Sequence, residues 1–369
     1  MASPDKWIGV ATTVIAKRRP SAGESVLRPP IYYCWMAQRA YERGFHLVLF
    51  DPDAVHWQER RVSGWTPVDA SNPFGSWKKT QTPLPAAIYE NVFVHLAMRG
   101  RCRGLRKMAR IQAIPLFNPP MPDKWRILRL LRARDVRVYV PETLRLSDPT
   151  AAVAQIKQWG VAYVKPIGGY GGMGVTRVEA LPDDSFRVSM DRTTQGVRPS
   201  RRVVSEASLR TWLKTRTKRP HILQRGISLL TLDGRRVDFR VACQRDGNGK
   251  WQVVAIVPKL AVRGGAVSNI RAGGSKVSLE ACQQMAERAG KRIPVEALER
   301  CALRIAGILS RQQPRCGIVG FDLGVDESLR VWFIEANPKP ARSLLSDVQR
   351  RRSAQLNADF ACCLATSSN

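Results

Sequence analysis

No apolar run in this chain approaches the roughly 20 residues a helix needs to cross a bilayer, so a membrane span is not expected. The short apolar stretch from Trp7 to Ala11 lacks a small-residue cleavage site, which argues against a secretory signal. Eight cysteines, at positions 34, 102, 243, 282, 301, 316, 362 and 363, form no CxxC pair. A zinc site is therefore not indicated, and the cysteines read as reduced thiols of a cytoplasmic protein. The four histidines (His46, His56, His95 and His221) stand in no catalytic spacing, and no Ser-His or Cys-His arrangement offers an activated nucleophile. No GxGxxG separates the first expected strand from its helix, so a dinucleotide cofactor is not indicated, and the GxxxxGK pattern of a Walker-type loop is absent. There is no internal repeat and no low-complexity tract.

Acidic residues are also scarce. Lys and Arg number 60 against 30 Asp and Glu, a formal charge of +30. The excess is spread evenly, at +9, +11 and +10 for residues 1–122, 123–222 and 223–369, so it is not a detachable basic tail. Such a field favours association with polyanions and acidic partners without naming one. Nucleic acid is one such partner, but no recognised reading module accompanies the charge.

At 369 residues the chain exceeds one typical core and suggests two or three domains. Residues 1–122 alternate strands (8–16, 46–50, 87–89, 114–117) with helical stretches such as 33–43, closed by Gly44. That pattern predicts a small parallel α/β domain. Asn118 to Pro122 is a rigid connector, and Asp123 reads as the N-cap of the next helix. Residues 123–222 read as an α+β unit with strands at 161–166, 186–190, 202–204 and 221–224. Residues 223–350 read as a second, with strands at 236–244 and 251–257, helices at 279–289 and 295–310, and a final hairpin. Residues 351–369 read as a tail.

The hairpin carries the first chemical signal. Asp322 sits between Gly320 and Gly324, and Glu335 and Asn337 share one face of the following strand because side chains alternate. If Asp322 pairs with Glu335, Asp326 pairs with Val331 and residues 327–330 form the loop. Val319, Phe321, Leu323, Val325, Trp332 and Ile334 predict a well-buried hairpin. Two carboxylates and an amide oxygen make a hard, oxygen-only site of the kind Mg²⁺ accepts when phosphates complete its shell. A solvated polar face is the alternative for this segment alone. The second signal is Lys165-Pro166 followed by Gly168, Gly169, Gly171, Gly172 and Gly174. Glycines let backbone N–H groups approach phosphate oxygens, and a lysine before them supplies a point charge. A flexible hairpin is the bland alternative.

The ordered combination is more specific. Lys165-Pro166, the glycine loop, Asp238 to Val241, Asn269 with Gly273 and Gly274, Asp322, and Glu335 with Asn337 together resemble the ATP-grasp superfamily. The closest likeness is to its YheC/YheD branch, named for endospore coat-associated proteins. The resemblance covers residues 5 to about 350 and implies an ATP-grasp fold (α/β plus α+β) preceded by a Rossmann-like pre-ATP-grasp domain. It further implies that ATP lies between residues 123–222 and 223–350. Lys124 and Lys165 would contact its phosphates under a closing 168–174 loop. Leu223, Gln224 and Ile227 would lie on the adenine hinge, where Gln224 stands at a position often held by glutamate. Asp238 would lie near the ribose. Mg²⁺, with Mn²⁺ as an alternative, would be held by Asp322, Glu335 and Asn337. Arg240, Arg263 and Asn269 would face the transferring phosphoryl group or the substrate, and Lys339 and Arg342 follow the metal strand.

By the same resemblance the chain is expected to be a ligase joining a carboxylate substrate to an amine or thiol acceptor through an acylphosphate. A non-catalytic nucleotide-binding coat protein is the rival expectation, with spore-coat association implied by the branch's name.

Overall fold

In the computed structural model of the protein, residues 6–15, 26–93, 96–97, 99–168, 174–190, 200–263 and 273–367 are described, and three sheets organise them. The N-terminal sheet has eight strands. Trp7–Ala11 lies parallel to His46–Phe50 on one side and Ala87–Glu90 on the other, and Leu116–Phe117 extends the parallel set. Helix Ile31–Glu42 ends at Arg43, followed by Gly44 at φ +78°. The other four strands, including the Arg61–Pro67 and Trp77–Pro83 ribbon, pair antiparallel, so the expected parallel set is half of this sheet. The first strand stops at Ala11 rather than running to Ala16.

The second sheet is wholly antiparallel, in the order Ser200–Val204, Phe186–Met190, Thr176–Ala180, Val161–Pro166, His221–Arg225, Thr143–Arg145. Helices Pro149–Trp159 and Glu206–Thr217 cover one face, burying Ile156, Leu209 and Leu213 against Ala162, Val164, Val178 and Leu223. Alternation then puts Tyr163, Lys165, Ile222 and Gln224 on the opposite face, where Ile222 joins the core of the third sheet.

The third sheet runs Ser275–Lys276, Trp251–Leu260, Arg235–Arg245, Ile318–Val325, Val331–Asn337, all antiparallel. Helices Leu279–Arg288 and Val295–Gln312 pack beneath it on Val237, Phe239, Val241, Phe321, Leu323 and Phe333. Helix Lys124–Arg132, expected with the second sheet, instead buries Ile127, Leu128 and Leu131 in this third core. Its N-cap is as read: Asp123 Oδ1 accepts from Arg126 N at 2.9 Å.

The hairpin differs from the simple register. Asp322 does pair with Glu335, but a bulge follows, so Leu323 faces Phe333 and Val325, not Asp326, faces Val331. The turn is closed by Asp326 N donating to Arg330 O at 3.0 Å. The bulge turns Val331 and Phe333 into the core and leaves Trp332 and Ile334 half-buried, the reverse of the expected pair.

Residues 351–366 are no tail. They belong to helix Asp347–Thr366, started by a capping box at Ser346 and Gln349. Its Ala354, Phe360, Ala361 and Ala365 pack with Tyr32, Tyr33, Met36 and Ala40 of the first helix, and Asp359 is held by Arg39 and Arg43 at 2.8 and 2.9 Å. The connector is tied equally firmly. Asn118, at φ +64°, accepts from Gly317 N and Ile318 N (both 2.8 Å) and donates to Pro338 O at 2.8 Å. This fixes the N-terminal sheet against the strands that carry Asp322 and Asn337.

Candidate nucleotide and metal site

One face of the third sheet gathers the polar residues. Because pairing is direct across four strands, Lys259 stands opposite Asp238, Arg240 opposite Asp322, and Asp322 opposite Glu335, all pointing away from the helices. Lys259 Nζ lies 2.8 Å from Asp238 Oδ1 and 2.9 Å from Asp322 Oδ1. Arg240 grips Asp322 with two nitrogens, at 2.9 and 3.0 Å, and Asn337 Nδ2 donates to Asp322 Oδ2 at 3.3 Å. Glu335 lies 3.4 Å from Lys124 Nζ. The space above Gly320 is filled by Pro340: a Cβ at Gly320 would meet Pro340 Cβ at 2.7 Å and Arg240 Cδ at 3.0 Å.

Across from this face stands Lys165. A cavity of about 190 Å³ is lined by Lys124, Lys165, Gly168 and Gln224 together with Phe333, Glu335, Asn337 and Lys339. Lys165 donates to Gln224 Oε1 at 2.6 Å, and Gln224, itself buried, donates to Thr143 Oγ1 at 3.0 Å. The partner that a charge at a strand end requires is thus a neutral amide. Burial and the neighbouring Lys124 charge lower the Lys165 ammonium to about 8, despite Glu335 and Asp322. Burial alone would raise Asp322, but Arg240 and then Lys259 outweigh it and hold the carboxyl well below the usual range. Lys259 is raised: Asp238 and Asp322 overcome the opposing effect of its burial. Asp322 is thus an anion, and the two cations touching it stay charged.

A family profile described as YheC/D like ATP-grasp matches residues 113–364. The chain belongs to this family. YheD of Bacillus subtilis (strain 168), an endospore coat-associated protein, is 25% identical over 316 residues, covering 83% of this chain and 66% of YheD. The chain thus spans just under two thirds of that relative's length. YheC of the same organism is 20% identical over 334 residues, covering 88% of this chain and 89% of YheC. Among solved structures, D-alanyl-alanine synthetase A from Vibrio cholerae O1 superposes with a TM-score of 0.53 at 10% identity, covering 100% of this chain and 99% of that one. A RimK domain ATP-grasp protein from Sphaerobacter thermophilus gives 0.51 at 15% identity, covering 96% and 98%. The fold is ATP-grasp.

Within this YheC/D-like ATP-grasp chain, the residues singled out from sequence fall into three groups. Lys124, Lys165, Gly168, Gln224, Glu335 and Asn337 line the cavity; Asp238, Arg240 and Asp322 form the adjoining buried cluster. Others stand apart. The Leu223 side chain is turned into the core of the second sheet, so only its backbone faces other partners. Ile227 lies beyond strand His221–Arg225, outside the cavity wall, and Arg263 is exposed past the end of strand Trp251–Leu260. Gly174 takes φ +73° and packs toward Pro166. Gly169, Gly171, Gly172 and Asn269 lie outside the described residues. Lys339 is paired with fully buried Glu90 at 3.0 Å, and Arg342 stacks 4.0 Å over the Tyr32 ring.

Lys259 is the residue sequence reading missed. The signal was available: a lone lysine in an otherwise apolar strand demands a carboxylate partner. Among the described residues no three His, Cys, Asp or Glu gather around one point. The donor set is two carboxylates and an amide on adjacent positions of one face, which fits a hard divalent ion only if phosphate oxygens complete the shell. No helix among the described residues is long and apolar enough to cross a membrane.

Proposed function

We propose that the protein is an ATP- and Mg²⁺-dependent ligase that joins a carboxylate to an amine or thiol through an acylphosphate. The observation that carries this reading is the meeting of two surfaces at one cavity. The Asp322, Glu335 and Asn337 face, backed by Arg240 and Lys259, looks toward Lys124 and Lys165. Four cations and three carboxylates there, counting Asp238, leave a positive balance suited to a polyphosphate. Lys124 and Lys165 hold phosphate oxygens. The backbone from Leu223 to Ile227 receives the base. Asp322, Glu335 and Asn337 would hold Mg²⁺, which neutralises charge on the phosphates when bound.

Arg240 and Lys259 face the γ-phosphoryl group once it displaces Asp322 as their partner. Asp238 keeps the Lys259 ammonium in place, a positioning role rather than the ribose contact implied by the resemblance. A substrate carboxylate oxygen attacks the γ-phosphorus, the bridging P–O bond to ADP breaks, and the two arginine and lysine charges stabilise the transferring group. The acceptor nitrogen or sulfur then attacks the acyl carbon, phosphate leaves and the acceptor loses its proton. Arg263 and Asn269 are assigned to the substrate side. The acid is an anion drawn in by the basic surface, and spore-coat association is proposed from the curated relatives' names.

The test is ADP release with Mg²⁺, a panel of carboxylic acids and hydroxylamine, which traps an acylphosphate as a hydroxamate. Acid-dependent ADP and hydroxamate formation supports the reading. ATP binding with no ADP release for any acid or amine would favour a binding-only coat protein instead.

A further inference from the structure

Resting on the nucleotide-site reading above, the geometry points to a metal site that is locked by the protein's own cations until nucleotide arrives. We propose that Asp322 and Glu335 do not take up a free divalent ion, and that the metal enters only with phosphates that draw Arg240, Lys259 and Lys124 away.

Both oxygens of Asp322 are already occupied. Oδ1 accepts from Arg240 Nε and Lys259 Nζ, each at 2.9 Å, and Oδ2 accepts from Arg240 Nη2 at 3.0 Å and Asn337 Nδ2 at 3.3 Å. Glu335 has Lys124 at 3.4 Å. A divalent ion needs carboxylate oxygens at about 2.1 Å and would then sit against two fixed positive groups. Those groups cannot swing out into water at small cost. The Lys259 and Arg240 side chains are 7% and 12% exposed, and Lys259 is anchored from its other side by Asp238 at 2.8 Å. Two carboxylates and an amide cannot overcome this alone, because the third acid of the cluster, Asp238, is itself taken up by Lys259 at 2.8 Å.

A triphosphate changes the balance. Its oxygens offer the displaced cations a new anionic partner and supply the missing metal ligands, so nucleotide and metal binding become strongly coupled. By linkage each raises the other's affinity by the same factor. The lock also spares the resting protein from carrying an adventitious cation in a buried acidic site.

Manganese electron paramagnetic resonance reads this directly, since protein-bound Mn²⁺ loses its six-line solution spectrum. The wild-type protein alone is expected to leave Mn²⁺ free up to about 1 mM, the weak end of carboxylate sites. Lys259→Met, and independently Lys124→Met should the first variant fail to fold, is expected to bind Mn²⁺ without nucleotide at least about tenfold more tightly than wild type. Adding Asp322→Asn to either variant should abolish the gain. Wild-type protein that binds Mn²⁺ alone, with affinity within about twofold of both lysine variants, overturns the lock. Binding of a non-hydrolysable ATP analogue with Mg²⁺, measured in parallel by calorimetry, separates the two claims. Failure there strikes the nucleotide reading, while the nucleotide-free Mn²⁺ result still decides the lock.

Discussion

Replacing Lys259 by Met keeps the length of the side chain and removes its charge, which isolates the electrostatics of the buried cluster. Lys259 and Asp238 are each 6% exposed and lie 2.8 Å apart. Removing one partner of a buried pair typically costs about 3–5 kcal/mol, chiefly from the charge left behind. Asp322 retains the two-nitrogen grip of Arg240, whose charge also acts on Asp238, so the lower figure applies, about 3 kcal/mol at pH 7. Asp238→Asn with Lys259→Met removes both charges, so the double variant should be more stable than the sum of the single losses by at least about 1 kcal/mol. Urea denaturation at pH 7 on the four proteins of this cycle measures both quantities. A loss under about 1 kcal/mol at pH 7, or additivity within about 0.5 kcal/mol, would refute the reasoning.

Three further outcomes are expected. Lys165, at about 8 in the nucleotide-free protein, should be driven up by phosphate, so nucleotide affinity should fall up to about tenfold per unit as pH rises above 8. Calorimetry in two buffers should show proton uptake there, and the slope should vanish in Lys165→Met. Asn118→Ala strands the Gly317 and Ile318 amides in a buried junction and should destabilise by about 3 kcal/mol in urea melts; Asn118→Gly avoids alanine's strain at φ +64° but leaves the amides unpaired, so it should still cost at least about 1 kcal/mol. Gly320→Ala would press Pro340 and the Arg240 stem, giving about 1–3 kcal/mol of destabilisation and weaker nucleotide binding than wild type by calorimetry.

Much of the site could be read from strand alternation and from single charges in apolar company. Glu335 and Asn337 share a face because period two requires it, and Lys165 announced a partner because it closes an apolar strand. The bulge after Asp322 was not legible, since it depends on tertiary contacts: Leu229 occupies the space where a Cβ at Gly324 would sit, 2.4 Å away. Lys259 escaped because the sequence reading ends the strand at Val257, three residues before its end at Leu260, and its partner Asp238 is remote in sequence. The last helix carries Arg350, Arg351 and Arg352 in its first turns, which reads as solvated tail. Its small apolar face has meaning only against Tyr32 and Met36 at the far end of the chain. The N-terminal ribbon was hidden by the polar run Lys78 to Gln81 around the buried Trp77.

The central claim is that a nucleotide triphosphate binds between Lys165 and the Asp322 face. Calorimetric titration of a non-hydrolysable ATP analogue with Mg²⁺ into wild type, Lys165→Met and Asp322→Asn tests it most directly. Saturable one-to-one binding in wild type, weakened at least about tenfold in each folded variant, is the predicted result. No binding to wild type, or equal affinity in all three proteins, would contradict it.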